Sequence, residues 1–141
     1  MIQPNKKNRI NTTQFKAILS KNASEYDIQC TCIEWFDVVH KEYKNCLFAV
    51  PNGFQVGRNG VSNAISKKKM EKEGMRKGIA DLILFFNGKV FPIEMKKEKG
   101  KLSSDQKQVH QDWSKLAKIE TKVCYSVDEF IHYVSEIMDS K

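Results

Sequence analysis

Asn87-Gly88 separates two runs, Asp81–Phe86 and Lys89–Lys96, and it constrains the fold more than any other local feature. Asn-Gly between apolar runs predicts a two-residue type I′ hairpin, because both residues accept a positive φ. Such a loop pairs Phe86 with Lys89, and in an antiparallel ladder the paired numbers keep a constant sum, here 175. Asp81 is thereby set opposite Glu94, with Cβ atoms about 5 Å apart in a destabilising like-charge pair. Glu94 and Lys96 are two apart, so both leave the same face of their strand. Asp, Glu and Lys converge at the end of the hairpin far from its turn. Pro92 cannot donate to a ladder and predicts an edge or a bulge. A bulge between Lys89 and Glu94 would shift the register by one.

The remaining elements follow from caps and periodicity. Residues 1–10 are polar, and a short helix is predicted from Thr12 to about Lys21. Ser24, with Asp27 three residues on, reads as an N-cap. Ile28, Cys32, Trp35 or Phe36, Val39 and Tyr43 then recur at helical spacing and predict an amphipathic helix over 25–43. Cys46–Val50 reads as a strand closed by Pro51-Asn52-Gly53. Residues 54–78 hold four glycines, no sustained period and the densest lysine run. They read as a long basic loop with a helical turn around Lys67–Glu73, and loops of that length are usually functional or mobile. Ser103 and Gln106 form a capping box ahead of a helix carrying Val109, Trp113, Leu116 and Ala117 on one face. Lys122–Val127 reads as a fourth strand. Ser126 with Glu129 caps a last helix bearing Phe130 or Ile131, Val134 and Ile137. The order is α-β-β-β-α-β-α, and the helical crossover between the third and fourth strands makes them parallel neighbours.

At 141 residues the chain predicts one domain, 1–141, with 1–23 as an N-terminal extension. No apolar run approaches the roughly 18 residues of a membrane span. The first residues lack the apolar stretch of a secretory signal, which predicts a cytoplasmic protein. The four cysteines show no CxxC spacing and the three histidines no HxxxH or HExxH cluster, so thiol or zinc chemistry is not expected. Cys32 and Cys124 read as small apolar core residues. The 24 basic residues exceed the 17 acids by a net +7, unevenly spread. Between Lys67 and Lys101 stand eleven basic residues against five acids, so +6 of that +7 lies in a quarter of the chain. A local excess of this kind suggests a polyanion partner, most often nucleic acid, or else a solvated lysine-rich surface.

Three chemistries fit the Asp81/Glu94/Lys96 patch: an ordinary ion-pair cluster, a structural cation site, or a catalytic Mg²⁺ site with the lysine beside a metal-bound water. Mg²⁺ takes one or two carboxylates while keeping waters and substrate phosphates. A bound metal eases deprotonation of its water and offsets charge on the attacked phosphate. A neighbouring ammonium can orient that nucleophile. Phosphodiester hydrolysis needs these parts, and the flanking lysines supply the polyanion site.

Asp81 followed by Glu94-Met95-Lys96 resembles the PD-(D/E)xK nuclease signature, and the wider chain resembles its VRR-NUC family. The match takes in Glu25-Tyr26-Asp27-Ile28-Gln29, Pro51-Asn52-Gly53, Gly78-Ile79-Ala80-Asp81, Glu94-Met95-Lys96, Gly100-Lys101-Leu102-Ser103 and Gln106, over roughly residues 24–131. Ala80 stands where the superfamily name has proline; that position supplies no ligand. The resemblance implies an α/β, restriction-endonuclease-like αβββαβ core, with a mixed four-stranded central sheet flanked by helices. It also implies a metal-dependent nuclease, and the stand-alone phage and bacterial members look like small homodimers acting on branched DNA such as four-way junctions. Asp81, Glu94 and the Met95 carbonyl would hold the metal, with Glu25 as a helix-borne acid that supports or adds a position. Lys96 would be the catalytic lysine, and Gln106 would approach the metal site or a phosphate. Glu25 is otherwise a first-turn helix acid, and Gln106 a capping residue.

The combined expectation is an endodeoxyribonuclease dependent on Mg²⁺ or Mn²⁺, with no organic cofactor and no membrane partner. It would be a homodimer whose two-fold symmetry suits a two-fold-symmetric junction. Lys67, Lys68, Lys69, Lys72, Arg76, Lys77, Lys97, Lys99 and Lys101 would contact DNA. The alternatives are a non-catalytic DNA-binding module of the same fold, or a nuclease acting on linear duplex.

Overall fold

The computed structural model describes residues 23–51 and 60–140. Its elements are α1 (Glu25–Val39), β1 (Leu47–Ala49), α2 (Gly60–Lys72), β2 (Leu82–Phe86), β3 (Lys89–Met95), α3 (Ser104–Asp112), β4 (Lys122–Cys124) and α4 (Val127–Asp139). A 3₁₀ segment, Lys41–Cys46, links α1 to β1, and α3 runs on into a π turn over Trp113–Ala117. The strands form one mixed sheet in the order β1-β2-β3-β4. The first two pairings are antiparallel and β3–β4 is parallel, as the helical crossover requires.

The hairpin register is the one set by its turn. Phe86 pairs with Lys89, Leu84 with Phe91 and Leu82 with Ile93, all summing to 175. Asn87 and Gly88 take φ of 52° and 76°, the positive values a type I′ turn needs. No bulge interrupts β3, since Pro92 pairs with Ile83. Its missing N–H does no harm, because the ladder to β4 begins one residue later, at Ile93 opposite Lys122.

Alternation divides the sheet into two faces. Leu82, Leu84, Ile93 and Met95 point into the core, where Ile28, Cys32 and Phe36 of α1 meet Phe130, Val134, Ile137 and Met138 of α4. Burying four strand residues and seven helix residues at 0–8% exposure anchors both helices to one side of the sheet. Ser24 closes a reciprocal capping box with Asp27, and Ser126 accepts from the Glu129 amide. Glu94 belongs to the opposite face, where α3 lies.

Several boundaries differ from the sequence reading. α1 ends at Val39 because His40 leaves helical space at φ −116°, ψ 48°, and the chain tightens into the 3₁₀ segment. Tyr43 is therefore off the helix, with its ring against Phe86. The predicted loop over 54–78 is helical across Gly60–Lys72. That helix has no apolar stripe, so periodicity could not reveal it. Its second half is rich in the good helix formers Lys, Met and Glu, and Lys69 and Lys72 in the last turn favour the C-terminal dipole. Leu116 and Ala117 are exposed rather than buried, because the π turn breaks the 3.6-residue period beyond Asp112. β4 stops at Cys124, with Ser126 already serving as the cap of α4. The expected Thr12–Lys21 helix and the Asn52-Gly53 part of the turn lie outside the described residues.

Candidate active site

The outer face of β3 presents one buried acid. Glu94 is 1% exposed, and its two oxygens have different surroundings. Oε1 accepts from Gln106 Nε2 at 2.8 Å and lies 3.9 Å from Lys96 Nζ. Oε2 is buried, and no hydrogen-bond donor reaches it while both acids are ionised. Asp81, one residue before β2, stands in line with Glu94 by the register. Its backbone carbonyl accepts from Val50, and its Oδ2 accepts from the Met95 amide at 2.8 Å. Ladder alternation turns the Met95 carbonyl to the same side as that amide.

Such crowding has an electrostatic consequence. Burial, above all, pushes the Glu94 carboxyl up to about 8; the Asp81 charge and a proton shared with Asp81 add to this. Lys96 pulls the other way, and Glu25 contributes a weaker upward push. Near neutral pH Glu94 therefore holds a proton in the metal-free protein. A buried carboxylate oxygen without a partner, facing a second carboxylate, suits a divalent cation, which would take the place of that proton.

Gln106 combines both roles read from the sequence. Its Oε1 accepts from the Ser103 amide at 2.9 Å to close the capping box of α3, while its Nε2 holds Glu94. Lys96 is also fixed: its amide donates to the Cys124 carbonyl, and its side chain is 11% exposed. Gly100 makes room for its stem, since a Cβ there would meet the Lys97 carbonyl at 3.0 Å and Lys96 side-chain atoms at 3.4–3.5 Å.

Asp81, Glu94, Lys96 and Gln106 thus come together, and Glu25 does not join them as a third close acid. It is exposed in the first turn of α1, and among the described residues no three of His, Cys, Asp and Glu cluster as a metal-holding group. Lys68, Lys69, Lys72, Arg76 and Lys77 are exposed and Lys67 half-buried, on α2 and the connection that follows it. Lys97, Lys99 and Lys101 are exposed on the β3–α3 loop, close in sequence to Lys96.

His110 escaped the sequence reading. It sits four residues after Gln106, on the same face of α3. Its Nε2 is buried without a hydrogen-bond partner, and burial followed by the nearby Lys96 charge lowers its pKa. The i, i+4 relation to Gln106 was the available signal. The thiols behave as read: Cys32 and Cys124 are fully buried, and burial pushes Cys124 up to about 11 and Cys32 further, so both stay protonated.

No protein-family model and no curated protein matches this chain. Among solved structures, one described as a VRR_NUC domain protein superposes with a TM-score of 0.61, covering 81% of this chain and 87% of its own. The two sequences are 18% identical, so the likeness is one of fold: a mixed four-stranded sheet flanked by helices.

Proposed function

We propose that the protein is a divalent-metal-dependent endodeoxyribonuclease. The observation that carries this reading is the buried Glu94 with its unpartnered oxygen, packed against Asp81 and Lys96. Ionising Glu94 in this position is costly unless a cation compensates it. The shared fold with a VRR_NUC domain protein and the local excess of lysine support the same conclusion.

Asp81, Glu94 and the Met95 carbonyl are the groups that would hold Mg²⁺ or Mn²⁺. The ion would supply a water of lowered pKa and charge stabilisation at the attacked phosphate. Gln106 keeps Glu94 in place by its 2.8 Å hydrogen bond, and Asp81 is oriented by the Met95 amide. Lys96, held close to Glu94, points the attacking water at phosphorus and offsets the negative charge that builds there. The exposed lysines neutralise neighbouring phosphates and fix the strand without reading its sequence. A homodimer would present two such sites related by a two-fold axis, which suits branched DNA.

The test is cleavage of matched linear, flap and four-way DNA with Mg²⁺ or Mn²⁺, beside EDTA controls. Metal-dependent strand breaks lost in Asp81→Ala would support the assignment. DNA binding with no cleavage under any metal would leave a non-catalytic module of the same fold.

A further inference from the structure

Beside the carboxylate patch lies a cavity of about 300 Å³, between the α2–β2 connection and the start of α3. Asp81 and Gln106 line both the cavity and the patch, so whatever fills the cavity is adjacent to the reacting phosphate. Its charged wall sets three cations, Lys67, Arg76 and Lys77, against the two acids Asp81 and Asp105. Arg76 is partly tied down, with Nη1 donating to the Glu71 and Met75 carbonyls at 3.4 and 3.2 Å. A guanidinium has five N–H donors, so most of its capacity remains for an anion.

Two further observations decide what kind of anion fits. Met75 and Ile79 also line the cavity, and an apolar wall is of no use to a bare phosphate. It suits the face of a nucleobase, as a polarizable thioether does in particular. The cavity is also fixed in shape at one seam. Gly78 has φ +84°, and a Cβ there would stand 2.5 Å from the Asp105 backbone, so the connection is locked onto the first turn of α3. The space is at the small end for ligand sites, large enough for one nucleotide and too small for a base pair.

We infer that this cavity receives a single unpaired nucleotide next to the scissile phosphate, so the strand must leave the duplex at that position to be cut. The inference rests on the nuclease reading and narrows its substrate class. Lys67, Arg76 and Lys77 take the phosphate of that nucleotide, and Met75 with Ile79 takes the base. A paired substrate has to unstack and unpair a nucleotide first, whereas an already unpaired one is spared that penalty.

Two measurements test this. The first compares kcat/KM in Mg²⁺ for a paired linear duplex and for the same duplex with one unpaired nucleotide on either side of the cut. The unpaired substrate is expected to react at least about tenfold faster, from the unpairing penalty. The ratio should fall toward one in Arg76→Ala/Lys77→Ala, a variant whose fold is checked by its melting temperature. Equal rates for both substrates in the wild type would overturn the inference while leaving the nuclease reading standing. The second measurement needs no catalysis: 2-aminopurine at the unpaired position is followed on binding in EDTA. Its fluorescence should change on binding to the wild type, and less so with Met75→Ser. Binding with no fluorescence change would overturn the inference. Failure to cut any substrate would instead remove the nuclease reading and leave the fluorescence result to decide whether the cavity holds a nucleotide.

Discussion

Replacing Asp81 by asparagine should stabilise the metal-free protein, and the gain should grow with pH. Glu94 carries a carboxyl raised from 4.5 to about 8. A pKa unit is about 1.4 kcal/mol, so ionising Glu94 in the folded protein costs on the order of 5 kcal/mol more than in the unfolded chain. Burial is the largest cause, and the substitution leaves it untouched. The Asp81 charge comes next. Two unit charges about 5 Å apart repel by roughly 3 kcal/mol at an effective dielectric near 20. Lys96 opposes that repulsion, so about 1–2 kcal/mol is the expected recovery. Asparagine keeps an oxygen to accept the Met95 amide, and its NH₂ can donate to the unpartnered Glu94 Oε2.

The direction with pH follows from linkage. A carboxyl raised in the folded state stabilises the fold below its unfolded pKa, and that stability is lost as pH climbs from about 4.5 through about 8. At pH 5 Glu94 is protonated in both folded proteins and the midpoints should nearly coincide. At pH 9 the wild type bears the full repulsion, and Asp81→Asn should melt about 3–8 °C higher in EDTA for a domain of this size. Millimolar Mg²⁺ should then raise the wild-type midpoint more than the variant's, because ligand binding stabilises only the protein that retains the site. Circular-dichroism melts at pH 5, 7.5 and 9 measure all of this. A variant less stable than wild type at pH 9, or a difference that does not grow between pH 5 and pH 9, would refute the opposed-carboxylate reasoning.

Three more outcomes are expected. Glu94→Ala and Lys96→Ala should each abolish cleavage while DNA affinity, read by filter binding, stays within a few-fold. Lys67→Ala/Lys68→Ala/Lys69→Ala should weaken binding to all sequences alike and flatten the slope of log K against log salt by up to about 0.9 per lost phosphate contact; an unchanged slope would return this cluster to a solvated surface. Gln106→Ala should lower the melting temperature by the equivalent of about 1–2 kcal/mol, since it removes half of a capping box and a buried hydrogen bond together. Gln106→Glu can still accept the Ser103 amide but sets a third acid against Glu94, so its deficit should exceed that of alanine at pH 9 and shrink at pH 5.

How much was legible in the sequence depended on whether a feature was local. Asn87-Gly88 specified its own dihedral angles, and pairing arithmetic then carried Asp81 and Glu94 to the same end of the hairpin. Ser24, Ser103 and Ser126 marked three helix starts because capping chemistry spans only three residues. α2 was missed for the opposite reason: its few apolar residues, Val61, Ala64, Ile65 and Met70, form no sustained stripe in the sequence to advertise it. The π turn after α3 was equally silent, since a widened turn leaves no trace in periodicity until Leu116 proves exposed. The cavity beside Asp81 could not be read at all. It depends on Gly78 approaching the Asp105 backbone, a contact across 27 residues of chain.

Gln106 shows why the acid site and the fold around it are hard to separate. The same amide caps α3 with its oxygen and holds Glu94 with its nitrogen. The start of α3 is therefore registered against β3 by the residue that fixes the buried acid, and Gly78 packs against the same helix start at the Asp105 and Gln106 backbone. A shift of α3 would at once free Glu94 and open the cavity, because the Gln106–Glu94 hydrogen bond and the Gly78 contact both tie that helix start to other elements. Both penalties fall on one displacement, so the geometry around Glu94 is held by more than its own contacts. That rigidity allows a carboxyl to remain buried with one oxygen unpartnered: the cost is local, and the packing that sustains it is spread over β3, α3 and the α2–β2 connection.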